Sequence, residues 1–229
     1  MPFDITFQLP FNCLVAGSSG SGKTTWVRNV LSLRHKIFST VPARVFWFYA
    51  VHQPIYLQMK REGLVHELLD VTKNMPTYES IADQVSPYKN RGGSIVVFDD
   101  CLSLISKEFE NIFCRLSHHE NLGIFFMTQN LMYQSPIYRT MSLNAHYFIV
   151  MKTDRALAQV GILGKQICPE NIKFIIQGFV AATRKPYSYL VLDIKPETKK
   201  EIRLRYRIFP HEFPTVCIIE LPDYTYKQR

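Results

Sequence analysis

A glycine-rich loop between an apolar strand and a helix is the feature that most constrains the fold of this chain. The stretch VAGSSGSGKTTWV matches the spacing G-x-x-x-x-G-K-[ST] at Gly17, Gly22, Lys23 and Thr24. Residues 11–16 before the loop predict a short strand, and residues 24–33 after it predict a helix. Because glycine leaves the backbone unblocked, N–H groups and the helix dipole can converge there on an anion. The sequence therefore predicts a phosphate-binding loop (P-loop) of the NTPase type.

The motif also predicts which residues bind the nucleotide. We expect ATP phosphates to contact nine loop residues: Gly17, Ser18, Ser19, Gly20, Ser21, Gly22, Lys23, Thr24 and Thr25. Lys23 is expected to reach the β- and γ-phosphates, and the Thr24 hydroxyl is expected to bind Mg²⁺. The alternative interpretation is an ordinary Gly/Ser turn.

Length and composition fit one α/β domain with a substantial core. The chain has 229 residues, of which 47% are hydrophobic, so a disordered protein is excluded. No run approaches the roughly 18 to 20 apolar residues that span a bilayer, and MPFDITFQLP lacks the apolar segment of a signal peptide. We therefore expect a soluble, intracellular protein. Widely spaced cysteines without a C-x-x-C pair predict buried free thiols at Cys13, Cys101, Cys114, Cys168 and Cys217.

Strand-length apolar runs alternate with helical segments along the first two thirds of the chain. After the first strand, further strands are predicted over residues 43–50, 92–100, 123–130 and 146–152. Helices are predicted over residues 55–70, 77–85, 106–118 and 154–167. This alternation predicts an α/β, doubly wound or RecA-like parallel sheet flanked by helices. We expect an NTPase core of residues 1–168 and a packed C-terminal appendage of residues 169–229, in which a helix precedes antiparallel strands.

Two acidic residues follow an apolar strand about 75 residues after the loop. In IVVFDD, the form of a Walker B strand, Asp99 is expected to order Mg²⁺ and Asp100 to polarise the attacking water. Most hydrolytic NTPases of this kind carry Glu at the second position, and Asp100 is one methylene shorter. The carboxyl end of a strand is where α/β folds bind ligands, although a solvated strand end would show the same pattern.

Gln129 ends the next predicted strand, within MTQN. In RecA-like folds that insert a strand between the P-loop strand and the Walker B strand, such a residue contacts the γ-phosphate and positions water. A capping glutamine with no catalytic role is the alternative.

Considered in order, these segments resemble a known superfamily. GSSGSGKTT, VVFDD, RLSHHENLGIFFMTQN and RTMSLNAHYFIVMKTDR are similar to the HerA/FtsK superfamily of DNA-pumping ATPases, and within it to the packaging ATPases of poxviruses, virophages and polinton-type or adintovirus-like elements. The resemblance covers residues 12–167, with residues 117–130 and Asn144 its most distinctive part. It implies a RecA-like (ASCE) ATPase that forms a pentameric or hexameric ring. The ring would drive double-stranded DNA into a preformed capsid at a vertex, in the host nucleus or cytoplasm or on the virion, without a membrane partner.

The resemblance further implies an arginine finger that completes a neighbouring subunit's site. Arg139, Arg155 and Arg115 are the candidates. Arg139 leads because it lies between the Gln129 strand and Asn144. An ordinary interface arginine is the alternative.

Two adjacent histidines, His118 and His119, do not predict zinc. Neighbouring residues on a helix or strand project in different directions, and no Cys or third His has ligand-like spacing. We expect this pair to couple the helix after Walker B to the Gln129 strand.

Arginines alternate with apolar residues near the C-terminus, in IRLRYRI. If residues 202–208 form a strand, Arg203, Arg205 and Arg207 share one face. Together with a net charge of +8, such a row favours contacts with DNA phosphates. A charged guard on an exposed sheet edge explains it equally well.

Two other functions share parts of this pattern. Small nucleoside or nucleotide kinases have a P-loop, but they need an arginine-rich lid and an acceptor pocket. A non-catalytic virion component that binds ATP would need no acid at Asp100.

Overall fold

Nine strands form one mixed sheet in the computed structural model, which describes residues 4–73 and 75–217. The strands are β1 (Phe11–Ala16), β2 (Arg44–Tyr49), β3 (Glu67–Asp70), β4 (Ser94–Asp99), β5 (Leu122–Thr128), β6 (Tyr147–Met151), β7 (Tyr189–Asp193), β8 (Leu204–Tyr206) and β9 (Thr215–Cys217). Their order across the sheet is β3-β2-β4-β5-β1-β6-β7-β8-β9. Neighbours are parallel from β3 to β6 and antiparallel from β6 to β9.

Helices cover both faces of this sheet. They are α1 (Lys23–Ser32), α2 (Arg34–Ile37), α3 (Pro54–Arg61), α4 (Tyr78–Val85), α5 (Lys107–Asn111), α6 (Ser117–His119), α7 (Pro136–Leu143), α8 (Ala156–Ile167) and α9 (Ile172–Ala182), and a π-turn (Ile112–Leu116) joins α5 to α6. Side chains of α1, α2 and α3 pack in the core on one face, and those of α4, α5, α7, α8 and α9 pack on the other. The predicted α/β fold, with a mostly parallel sheet flanked by helices, is confirmed. No described helix is long and apolar enough to cross a bilayer.

The apolar runs of the sequence are strands buried on both faces. In β1, Phe11, Cys13 and Val15 contribute to one core, whereas Leu14 and Ala16 contribute to the other. Successive side chains of a strand point to opposite faces, so a two-sided core favours apolar residues at nearly every position, and in β1 only the buried Asn12 is polar. This preference is why the runs, rather than an alternating pattern, marked the central strands.

The prediction of one helix over residues 55–70 is wrong in its second half. Helix α3 ends at Arg61, and Gly63 follows with a φ of 69°, in the left-handed region. The N–H of Gly63 donates to the carbonyl of Lys60 at 3.1 Å, which closes the last turn. The chain then enters strand β3, which pairs with β2 at the edge of the sheet.

The predicted basic row near the C-terminus is also wrong in its geometry. Strand β8 spans only Leu204–Tyr206, and β7 and β9 pair with it on its two sides, so it is not a free edge. Arg205 is buried in an ion pair with Asp193 and donates to the carbonyls of Ile202 (2.7 Å) and Ile5 (2.9 Å). Arg205 therefore belongs neither to an exposed basic row nor to a charged residue set that protects a free sheet edge.

The other two arginines of the row are separated from Arg205. Arg203 donates through Nε to the carbonyl of Thr198 at 3.1 Å. Arg207 follows the strand with a φ of 55° and is exposed. The three side chains therefore share no face, because the strand is too short to carry the alternation.

The five cysteines are all free, as predicted. Cys13 and Cys101 are buried, whereas Cys114, Cys168 and Cys217 are half-buried. Their burial is therefore less uniform than expected.

Candidate nucleotide-binding and hydrolytic site

The P-loop joins the carboxyl end of β1 to the amino end of α1. Gly22 precedes the first residue of α1 with a φ of 96°, and its carbonyl accepts from the N–H of Trp26 at 2.8 Å. A Cβ built on Gly17 would lie 2.5 Å from Oγ of Ser21 and 2.7 Å from Cβ of Met151. Glycine is thus required at the first position by space and at the second by backbone conformation.

Lys23 lies at the base of this loop. Its Nζ donates to the carbonyls of Gly17 (2.6 Å) and Ser18 (3.1 Å). Burial lowers the pKa of Lys23, while the nearby charges of Asp99 and Asp100 act in the opposite direction. The ammonium group is therefore hydrogen-bonded to loop carbonyls and lies near two carboxylates on the Walker B side of the loop.

Thr24 and Asp99 are brought together from α1 and β4. The Thr24 hydroxyl donates to Oδ2 of Asp99 at 3.2 Å, across 75 residues of sequence. Burial raises the pKa of the Asp99 carboxyl, and hydrogen bonds from Tyr56 and Thr24 and the charge of Lys23 lower it. Mg²⁺ in proteins keeps several waters and binds one or two carboxylates together with substrate phosphates. A hydroxyl and a carboxylate beside a P-loop fit that requirement.

Tyr56 is a site residue that the sequence did not indicate. It is fully buried in α3, and its hydroxyl donates to Oδ2 of Asp99 at 2.7 Å. Burial and the Asp99 charge raise the pKa of this hydroxyl well above its usual range, so it remains a donor. Its ring packs against Trp47 and Tyr49, with centroids 5.4 and 5.3 Å away. The aromatic packing positions the donor.

Asp100 and Gln129 lie side by side at the same edge of the sheet. Nε2 of Gln129 is 3.4 Å from Oδ1 of Asp100. They are neighbours because β5 lies between β1 and β4, which aligns its end with both the P-loop and the acidic pair. Asp100 has a φ of 58°, a conformation that non-glycine residues adopt at a cost.

These groups open into one cleft of about 1460 Å³. One side of the cleft is lined by residues of the P-loop and of the ends of β4 and β5, namely Lys23, Thr24, Asp99, Asp100 and Gln129. The opposite side is lined by residues of the C-terminal strands and their connections, including Tyr187, Arg207 and Phe213. Of the three C-terminal arginines, Arg207 lines the cleft and Arg205 is buried away from it, in the ion pair with Asp193.

The arginine-finger candidates are all exposed, and none lines the described cleft of its own chain. Arg139 lies in the first half of α7, and Arg115 lies in the π-turn before β5. Arg155 directly precedes α8, shortly after β6 ends, which places it at the edge of the sheet that holds the P-loop. Their roles stay predictions.

His118 and Asn144 lie at the opposite edge of the sheet from Gln129. His118 is in α6, before β5 begins, and its ring centroid is 5.4 Å from that of His146. His146 accepts through Nδ1 from the backbone N–H of Asn12 at 3.0 Å, and burial lowers its pKa to about 4. His118 and His119 do end the connection from Walker B to β5, but a direct contact with Gln129 is ruled out by this placement.

Comparison with solved structures supports the fold of this chain. No protein-family model and no curated protein sequence matches the chain. A solved structure of the genome packaging NTPase B204 from Sulfolobus turreted icosahedral virus 2, in complex with ATP-gammaS, aligns with 82% of this chain and 95% of its own, at 15% identity and a TM-score of 0.52.

A second solved structure is the cytoplasmic domain of the type VII secretion ATPase EccC from Thermomonospora curvata. It aligns with 91% of this chain at 14% identity and a TM-score of 0.54, although the match spans only 26% of that longer protein. Both similarities place the chain among RecA-like P-loop folds.

Proposed function

We propose that this chain hydrolyses ATP and uses the free energy to move double-stranded DNA, as the packaging ATPase of a DNA virus. The observation that carries the proposal is the convergence of two polar pairs on one P-loop: Thr24 with Asp99, and Asp100 with Gln129. The first pair suits a magnesium nucleotide, and the second suits activation of water. A strand inserted between β1 and β4 is what brings both to the same edge.

Each residue has a role in this chemistry. The loop N–H groups and the amino end of α1 bind the phosphates, and Lys23 neutralises charge on the β- and γ-phosphates. Thr24 and Asp99 would hold Mg²⁺, which when bound offsets charge that develops on the phosphate oxygens.

Asp100 and Gln129 act on the water. Asp100 accepts a proton as the water oxygen bonds to the γ-phosphorus, and the bond from that phosphorus to the β–γ bridging oxygen breaks. The products are ADP and phosphate. The Gln129 amide, within reach of the Asp100 carboxylate, orients the reacting groups.

The DNA-moving part of the proposal is supported by the fold and the charge. The chain aligns with nearly the whole length of a viral genome packaging NTPase. Its net charge of +8 favours a polyanionic partner. We further propose a homo-oligomeric ring at a capsid vertex, at intracellular assembly sites or on the virion, in which an exposed arginine of one subunit reaches the next subunit's cleft.

ATPase rate measured with and without double-stranded DNA tests this function, with the oligomeric state determined in the same buffer. We expect DNA to raise the rate in an oligomer, and Lys23→Ala to abolish turnover. Transfer of phosphate to a nucleoside would instead identify a kinase. ATP binding without any turnover would indicate a non-catalytic virion component, and a DNA-independent rate in a monomer would contradict translocation.

A further inference from the structure

Strained backbone conformations cluster around the cleft. Of the five non-glycine residues with positive φ in residues 4–73 and 75–217, Asp100, Tyr187, Arg207 and Phe213 line this one cleft, with φ between 55° and 58°. The fifth is Asn121; Asn and Asp both visit the left-handed region readily, so the cost is largest at Tyr187, Arg207 and Phe213. Strain of this kind persists where the surrounding structure enforces it, and it collects at ligand-binding sites. Asp100 belongs to the hydrolytic centre, whereas the other three have no role there.

The three remaining residues lie on the other side of the P-loop from the acidic pair. Met151 pairs with Tyr189 in the antiparallel β6–β7 ladder, so the residues just before Tyr189 lie at the edge of the sheet that holds the P-loop. Tyr206 pairs with Thr215, so the connection 207–214 lies at that edge too. Strands β4 and β5 flank β1 on one side, and β6 and β7 flank it on the other. The cleft therefore runs from the hydrolytic centre across the P-loop to these connections.

Two aromatic rings stand out on that side. Phe213 is 82% exposed and Tyr187 is 71% exposed, more than any other large hydrophobic side chain in the described ranges. Tyr187 lies against the P-loop itself, because a Cβ built on Gly22 would be 3.4 Å from Cδ1 of Tyr187. Both rings line the cleft rather than pack in a core. Their faces are available to a planar ligand.

The backbone that carries these rings is fixed to the helix after the P-loop. Trp26 of α1 packs against Tyr189 and Phe209, with ring centroids 5.6 and 6.1 Å away. The Tyr189 hydroxyl donates to Oε2 of Glu212 at 2.6 Å and accepts from the N–H of Ile208 at 2.9 Å. Both connections are thus held by one aromatic cluster, which explains how the strained conformations are maintained.

We propose that Tyr187 and Phe213 form the subsite for the base of a nucleoside triphosphate. This inference rests on the proposed ATPase function and extends it to the far end of the ligand. With the γ-phosphate beside Asp99 and Asp100, the triphosphate follows the P-loop and the base reaches the aromatic side of the cleft. Stacking on an aromatic face is tolerant of base identity. The subsite therefore accepts several nucleoside triphosphates, and purines bind more tightly because their rings offer more stacking area.

Binding of ATP and of inorganic tripolyphosphate, each with Mg²⁺, separates the base subsite from the P-loop. Tyr187→Gly and Phe213→Gly remove the rings at positions where glycine relieves strain, so we expect a melting temperature that is unchanged or raised. Each variant should weaken ATP binding about tenfold and leave tripolyphosphate binding unchanged. Tyr187→Phe should keep the affinity of the wild type. Lys23→Ala should weaken the binding of both ATP and tripolyphosphate.

Leu143→Ala is the matched control, because Leu143 is 69% exposed but lies at the opposite edge of the sheet, outside the cleft. It should change neither affinity. Glycine variants that bind ATP like the wild type would overturn the base subsite and leave the P-loop assignment intact. Glycine variants that bind ATP and tripolyphosphate equally weakly would overturn the base subsite too, because the substitution would then have changed the P-loop and not a contact with the base. Wild-type protein that binds neither ligand would overturn the proposed function, and this inference with it.

Discussion

The hydroxyl of Tyr56 donates to the same Asp99 oxygen, Oδ2, that accepts from Thr24. The three groups come from α3, β4 and α1, and Tyr56 and Asp99 are both buried. Two donors on one oxygen favour the ionised carboxylate, against the burial that raises its pKa. Tyr56 is therefore a positioning residue for the metal-binding acid of the proposed ATPase.

Removing that hydroxyl should shift the acid limb of the pH–rate profile. Tyr56→Phe keeps the ring and loses a hydrogen bond that lowers the pKa of Asp99, so this pKa rises further. The rate falls as pH drops through the pKa of a carboxyl that must be ionised, so a higher pKa moves the fall to higher pH. A hydrogen bond to a charged group is worth about 1.5–3 kcal/mol, which predicts a shift of about one pH unit or more. ATPase rates between pH 4 and 8 measure it.

Tyr49→Phe is the control for this shift, because Tyr49 belongs to the same aromatic cluster. It should leave the acid limb unchanged. An acid limb that Tyr56→Phe does not move would mean that Asp99 ionisation does not limit the rate.

A methyl group at Gly17 should abolish nucleotide binding. The added Cβ would meet Oγ of Ser21 and Cβ of Met151 at 2.5 and 2.7 Å, and the Met151 atom is attached directly to a central strand. We expect Gly17→Ala to distort the P-loop and to lower the melting temperature. Isothermal titration with ATP and a thermal melt test both effects.

Gly161→Ala is the matched control for Gly17→Ala. A Cβ at Gly161, in helix α8, would have Cδ1 of Ile176 as its nearest neighbour at 3.9 Å. Alanine in a helix interior is better than glycine by about 0.5–1 kcal/mol, so this variant should be more stable and should bind ATP normally. Equal behaviour of the two variants would refute the steric argument.

The sequence predicted the parts of the fold that depend on a local pattern of residues along the chain. The five strands from β1 to β6, without β3, were marked by continuous apolar runs, and the P-loop by glycine spacing. Strand β3 was missed because the helical pattern that begins at residue 55 does not show that Gly63 reverses the chain. Tyr56 and Tyr187 were missed because each reaches the site through a contact with a distant segment.

The arginine alternation was misread for a related reason. An alternation with a period of two predicts which side chains share one face of a strand. It does not predict which residues of other elements cover that face. Here the covering group is Asp193, twelve residues before Arg205 on the neighbouring strand. The burial of Arg205 depends on strand pairing and on contacts with distant segments, so the local sequence pattern could not predict this burial.

Arg205→Ala should destabilise the fold rather than weaken a DNA contact. The change leaves Asp193 buried without its cation and also removes donors to the carbonyls of Ile202 and Ile5. Breaking a buried ion pair costs about 3–5 kcal/mol of unfolding free energy. Urea titration measures this cost, and Arg205→Met with Asp193→Asn should cost less than the two single changes added.

Salt dependence of DNA affinity distinguishes the two interpretations of Arg205. A phosphate contact would lower the magnitude of the slope of log affinity against log salt by about 0.9. We expect no such change for Arg205→Met combined with Asp193→Asn, which removes the cation together with its buried partner carboxylate. A reduced slope with unchanged stability would show that Arg205 contacts DNA after all.

Asp100→Asn should retain ATP binding and lose about 10² or more in hydrolysis rate, the range expected when a general base is removed. The substitution suits this position, because Asn tolerates the left-handed backbone that Asp100 adopts at a φ of 58°. The loss of rate would therefore report the missing carboxylate and not a rearranged loop. Asn also keeps an oxygen for the Gln129 amide, so the contact between the two residues can persist.

Single-turnover hydrolysis together with ATP affinity measures the two effects, with Asp100→Gly as a control that removes the side chain but fits the same backbone. If Asp100→Asn hydrolyses ATP at the rate of the wild type, another group activates the water, and the pairing of Asp100 with Gln129 is structural.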